Sequence, residues 1–96
     1  MPATDPSLVL DLIQAFRRSK TMFTAASLGI FDHLHASPAS ATDLAQRLQC
    51  HPEALSRLLD GCVGLGLLEL SGNLYRNCEI SEVYLRSDSP ETLAGY

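Results

Sequence analysis

Apolar residues in this chain fall into blocks of helical spacing, set apart by residues that cap or break helices. Asp5-Pro6-Ser7 reads as a helix start, a capping residue beside a proline that cannot continue a helix backwards. Leu8, Val9, Leu12, Ile13 and Phe16 then recur on one broad arc at about 100° per residue, with Leu10 outside it. The pattern runs on through Lys20, Met22, Phe23 and Ala26 to Leu28, where Gly29 predicts the stop. Ile30, Phe31 and Leu34 predict a short helical turn, and residues 36–39 a loop.

Ser40, with Asp43 three residues on, has the spacing of a capping box and predicts a short helix that buries Leu44, Ala45 and Leu48. Gln49-Cys50-His51 is the expected turn. Pro52 suits the first position of a second helix, which buries Leu55, Leu58, Leu59, Cys62 and Val63 and ends at Gly64 and Gly66. Leu67 to Leu70 and Leu74 to Arg76 predict two strands joined by a turn at Ser71-Gly72-Asn73. Ser81 is expected to cap a last short helix through Val83, Tyr84 and Leu85. After the break at Ser87-Asp88-Ser89-Pro90, another helix is expected to begin at Glu91. The chain stops as that helix begins, which points to a cut rather than a finish at Tyr96. Helix, turn, helix and hairpin is the order of a winged helix. The expected fold class is mostly α: a winged helix-turn-helix-like domain with a small two-stranded antiparallel wing behind a long N-terminal helix.

Ninety-six residues make one domain, taken as residues 1–96. An apolar share of 46% against 19% charged residues indicates a globular chain. It is too short to hold a doubly wound nucleotide-binding sheet and anything else. Seven Lys and Arg against eleven Asp and Glu give a net charge of −4, a sign that opposes a nucleic-acid partner. No apolar run approaches the roughly 20 residues that span a bilayer. The N-terminus lacks the basic start and apolar stretch of a signal peptide. Cys50, Cys62 and Cys78 are odd in number and hold no CxxC pair, which fits a reducing cytoplasm.

Little catalytic chemistry is visible. The glycines at 61, 64 and 66 invite a nucleotide-loop reading, but such a loop follows a strand and opens a helix, whereas these close one. His33, His35, Cys50 and His51 lack the paired short spacings of a zinc site, so no metal ligand is assigned. Serine, histidine and aspartate are all present, but spacing alone assembles no triad, and no catalytic residue is assigned. A winged helix raises DNA binding, yet the expected recognition helix exposes Glu53, Ser56, Arg57 and Asp60, and the wing adds only Asn73 and Arg76. The first helix points elsewhere. Leu8, Val9, Leu10, Leu12, Ile13 and Phe16 wrap further round it than one small core absorbs, and Met22 and Phe23 extend the surplus. Such a surplus marks an interface; the alternative is a helix sandwiched inside its own domain.

The segment from Ala15 to Asp32, AFRRSKTMFTAASLGIFD, resembles the opening of acetylserotonin O-methyltransferase-like proteins. Leu58-Leu59-Asp60-Gly61-Cys62-Val63-Gly64-Leu65-Gly66-Leu67-Leu68, Tyr75-Arg76-Asn77 and the stretch from Val83-Tyr84-Leu85 to Ser89-Pro90 continue the likeness. It covers nearly the whole chain. The resemblance implies an N-terminal, winged-helix-like dimerisation domain whose first helices intertwine with a second copy, placing Leu8, Val9, Leu12, Ile13, Phe16 and Phe23 at a homodimer interface. It also implies that Phe16, Met22 and Phe23 help wall the partner subunit's pocket for a small hydroxyl substrate. S-adenosylmethionine would bind the family's catalytic domain, which is absent here; this chain alone is expected to bind no cofactor. Two departures stand out: Cys50 where a glycine is usual in the turn, and His51 in place of an acidic cap before Pro52. The alternatives are a stand-alone winged-helix DNA-binding regulator and an orphan protein-interaction module.

Overall fold

The computed structural model describes residues 4–93. Its order is α1 (Ser7–Ser27), α2 (Ile30–Ala36), α3 (Ala41–Leu48), α4 (Pro52–Gly64), β1 (Leu68–Ser71), β2 (Leu74–Asn77) and α5 (Glu79–Tyr84). The chain is thus mostly helical with one two-stranded antiparallel sheet.

Local chemistry sets most boundaries. The Ser7 amide donates to Asp5 Oδ1 at 2.9 Å as α1 begins, and Gly29 turns left-handed where α1 gives way to α2. Ser40 Oγ accepts from the Asp43 amide at 3.1 Å, capping α3. Pro52 opens α4, where its missing N–H costs nothing. Gly72, at φ +63°, takes the first central place of the two-residue hairpin turn, a place that demands positive φ.

The core is contributed by every element. Ile30, Phe31 and Leu34 of α2, Leu44 and Ala45 of α3, Leu55, Leu59 and Cys62 of α4, Leu68 of β1 and Tyr75 of β2 are buried together with Ala25 and Ala39. Leu48, Leu58 and Val63 pack on its edge, half-buried rather than buried as their spacing suggested. The hairpin pairs Leu68 with Asn77 and Leu70 with Tyr75. On its other edge, Tyr75 exchanges two backbone hydrogen bonds with Ala39, which ties the α2–α3 loop to the sheet.

Three local expectations are corrected. The left-handed residue between α3 and α4 is Gln49, at φ +55°, and not Cys50. Gln49 N–H reaches Gln46 O and Cys50 N–H reaches Ala45 O, which closes α3 in a Schellman turn one residue earlier. Ser81 does not cap the last helix: α5 starts two residues before it, behind Cys78, and Ser81 lies fully buried inside. No helix begins at Glu91. It sits in a turn, with Thr92 and Leu93 irregular, and Tyr96 lies outside the described residues.

A domain of this length has a radius of gyration of about 12.5 Å when compact. This one has 15.3 Å and a long axis of 53 Å. Helix α1, 21 residues and roughly 31 Å long, accounts for the excess.

Candidate functional site

Helix α1 has two faces with different surroundings. Thr21, Met22, Ala25 and Ala26, all in its second half, seat it on the domain, and Ala25 is fully buried. The seat is close: a Cβ on Gly61 of α4 would lie 3.3 Å from Thr21 Cγ2. Glycine at that position lets the two helices approach. The Thr21 hydroxyl donates back to Arg17 O at 3.0 Å, so the methyl is turned toward α4 by a satisfied hydroxyl.

The other face has no cover. Leu8, Leu12 and Phe16 are 69%, 61% and 65% exposed, and Val9, Ile13 and Phe23 are exposed with them. At about 100° per residue these six fall within an arc of about 140°, and Ala25 points away from it. Leu10, outside the arc, is exposed too. Up to Lys20 only Ala15 is even half-buried, so residues 7–20 form an arm standing clear of the core. Along its base runs a shallow trough of about 460 Å³, whose apolar lining is Phe16, Phe23 and Leu28 and whose polar rim includes Ser19, Lys20 and Thr24.

The aromatic residues expected to share a wall are therefore divided. Phe16 and Phe23 flank one trough. Met22 is half-buried in a different groove, beside Arg18, Leu65 and Leu67.

At the opposite end the structure assembles a polar junction that spacing did not reveal. Glu82 of α5 meets His35 Nδ1 at 3.0 Å and accepts from Asn77 Nδ2 at 2.7 Å. Asn77 Nδ2 also donates to Phe31 O at 2.8 Å. Burial pushes the Glu82 carboxyl up, but hydrogen bonds from His35 and Asn77 and the charges of His35 and Arg86 outweigh it and hold the carboxyl below its ordinary range. Ser87 donates twice to Asp32, from its amide and its hydroxyl, both at 2.8 Å. The partners are 5 to 55 residues apart in sequence, which is why no local pattern announced them.

Nothing here assembles into a reaction centre. Burial pushes the Cys62 thiol up to about 11, so it remains a protonated core side chain. Among the described residues no three His, Cys, Asp or Glu groups could hold a metal ion. The glycines at 61 and 64 lie within α4, and Gly66 follows its C-terminus on the way to β1. Such a stretch offers no helix N-terminus to a phosphate or an adenosyl group. Asp60, on the exposed side of α4, accepts from the Tyr75 hydroxyl at 2.5 Å. No helix among the described residues is long and apolar enough to cross a membrane.

Comparison with known proteins gives this geometry a family. The family described as O-methyltransferase dimerisation domain matches residues 10–87. Acetylserotonin O-methyltransferase of Gallus gallus is 43% identical over 93 residues, covering 91% of this chain and 27% of the relative. The N,N-dimethyltransferase OxyT of Streptomyces rimosus is 37% identical over 95 residues, covering 98% of this chain and 27% of the relative. The crystal structure of human N-acetylserotonin methyltransferase in complex with SAM superposes with a TM-score of 0.81 at 32% identity, over 98% of this chain and 30% of that one. The chain thus spans between a quarter and a third of the length of these relatives, in their N-terminal portion. It belongs to the O-methyltransferase dimerisation-domain family, and a dimerisation domain implies a self-associating partner.

Proposed function

We propose that this member of the O-methyltransferase dimerisation family joins two copies of itself through the uncovered arc of α1, with Leu8, Val9, Leu12, Ile13, Phe16 and Phe23 at the contact. The observation that carries the reading is that these six side chains share one face and meet nothing in their own domain. Burying a Leu, Ile, Val or Phe side chain stabilises by about 1.5–3 kcal/mol. Six per copy therefore supply an amount that offsets the roughly 4–15 kcal/mol association cost. Leu10, outside the arc, supports an arm gripped on more than one side rather than laid flat.

The parent protein, in this reading, is an O-methyltransferase that moves a methyl group from S-adenosylmethionine to a small-molecule hydroxyl. Supporting this are relatives that carry methyltransferase names along their whole, longer chains. The chain's own residues supply association and a wall. Phe16 and Phe23 border a trough that a partner's substrate pocket shares, and Met22 reaches it only from the neighbouring groove. Three free cysteines support a reducing compartment, the cytoplasm.

Sedimentation tests the interface. Wild-type chain should run as a dimer at micromolar concentration, and Leu12→Glu as a folded monomer, because an unpaired charge is costly in an apolar contact. A variant that stays both folded and dimeric would place the interface on another helix.

The helix-turn-helix and hairpin order also favours a second reading, a dimeric DNA-binding regulator. Against it stand Glu53 and Asp60 on the exposed side of α4, which repel phosphate beside a single Arg57. A mobility shift at low salt that vanishes as salt rises would bring the regulator to the front.

A further inference from the structure

Helix α5 is built with its polarity inverted. Its fully buried residue is Ser81, whose hydroxyl donates to Leu67 O at 2.6 Å. Ile80, beside it, is 54% exposed, and Tyr84, one turn further on, is exposed as well. A helix that ends a domain normally turns such residues inward. The chain then folds back along α5. Ser89 Oγ donates to Val83 O at 2.6 Å, and the Leu93 amide donates to Tyr84 O at 2.7 Å. This return places exposed Leu93 next to Tyr84. Ile80, Tyr84 and Leu93 thus form an apolar patch remote in sequence from the α1 arc, and serines rather than apolar side chains hold it to the core.

We propose that this patch is the docking surface for the catalytic portion that follows such a domain in the methyltransferases this chain is related to, an inference that rests on the reading of the chain as one part of a longer methyltransferase. Two observations choose this occupant. The relatives run on for about 70% of their length beyond the matched N-terminal portion. The described backbone also leaves the fold at Leu93, inside the patch, so whatever follows starts from beside Ile80 and Tyr84. A second copy of this domain would instead cover the α1 arc.

Amide hydrogen exchange decides the matter. The product of the complete reading frame that encodes residues 1–96 is compared with residues 1–96 alone, each measured across a dilution series. Exchange over 79–85 and at Leu93 should be slower by about tenfold or more in the longer product, and independent of concentration in residues 1–96. Ile80→Asp with Tyr84→Asp should split the longer product's single melting transition in two, while the melt of residues 1–96, where both side chains are exposed, stays put. Equal exchange in both proteins overturns the proposal, as does a reading frame that ends at Tyr96. Protection that grows with concentration in residues 1–96 also overturns it, because the patch then belongs to the contact between copies. Failure of the dimer reading is a separate result, a monomer in sedimentation whatever the state of the patch.

Discussion

The second half of α1 and its first half are one continuous helix in two different situations. Between Thr21 and Ala26 the helix is held by its own domain: Ala25 has no exposed surface and Thr21 presses on Gly61. From Ser7 to Lys20 the same helix carries its larger apolar residues into solvent. Small residues are inside and large ones outside, the reverse of what one isolated domain needs. The domain is thus stable through residues 25 to 89, and the arm is surplus to that stability. Apolar content along a helix does not by itself say which part is core.

That contrast can be broken most forcefully at Leu59, fully buried in α4. Leu59→Ala should cost about 3 kcal/mol in denaturant titration, the same when dilute as when concentrated, because the core closes within one copy. A loss that disappears on concentration would mean the core is shared between copies. Next comes the seat of the arm. Gly61→Val drives a branched side chain into Thr21 and should cost about 2 kcal/mol, with weaker association, since it tilts the helix that carries the arc. An unchanged dimer would separate seat from arm. Ser40→Ala removes the α3 cap and should cost about 1 kcal/mol, leaving sedimentation untouched; altered association would tie α3 to the interface.

The smallest effect concerns pH. The folded carboxyl of Glu82 lies below its ordinary value of 4.5, so its stabilising contribution is present above that value and lost as pH falls through the lower folded one. Glu82→Gln should therefore flatten the stability profile between about pH 5 and pH 3. The flattening is slight, because the side chain is more than a third exposed. A Gln variant with the wild-type slope would assign acid sensitivity elsewhere.

What the sequence disclosed was what neighbours in sequence decide. Ser40 with Asp43, Pro52, Gly29 and Gly72 set boundaries through bonds or dihedrals within a few residues, and they stand where the pattern put them. The mostly helical class with one small sheet followed from them. Ser81 misled because a serine near a helix start looks like a cap, while its true acceptor, Leu67 O, is 14 residues away. Gln49 was passed over because glycine, or else the unusual Cys50, draws attention in a turn; an amide side chain tolerates positive φ without advertising it. The surplus on α1 was legible as a quantity. Which side of the helix it lay on was not, since only the contact between Thr21 and Gly61 fixes the rotation of the helix on its domain.

Helix α1 contains neither glycine nor proline between Ser7 and Ser27, so it has no hinge. The arm is a lever whose fulcrum is the contact at Thr21 and whose tip is Leu8. Over the roughly 20 Å between them, a 5° tilt at the fulcrum moves the tip by roughly 2 Å, about half the width of a methyl-to-methyl contact. Mechanical leverage of this kind lets a change in packing beside α4 alter how two copies meet without touching any residue at the meeting surface. The stiffness of one uninterrupted helix would thereby become the means by which each copy senses the other.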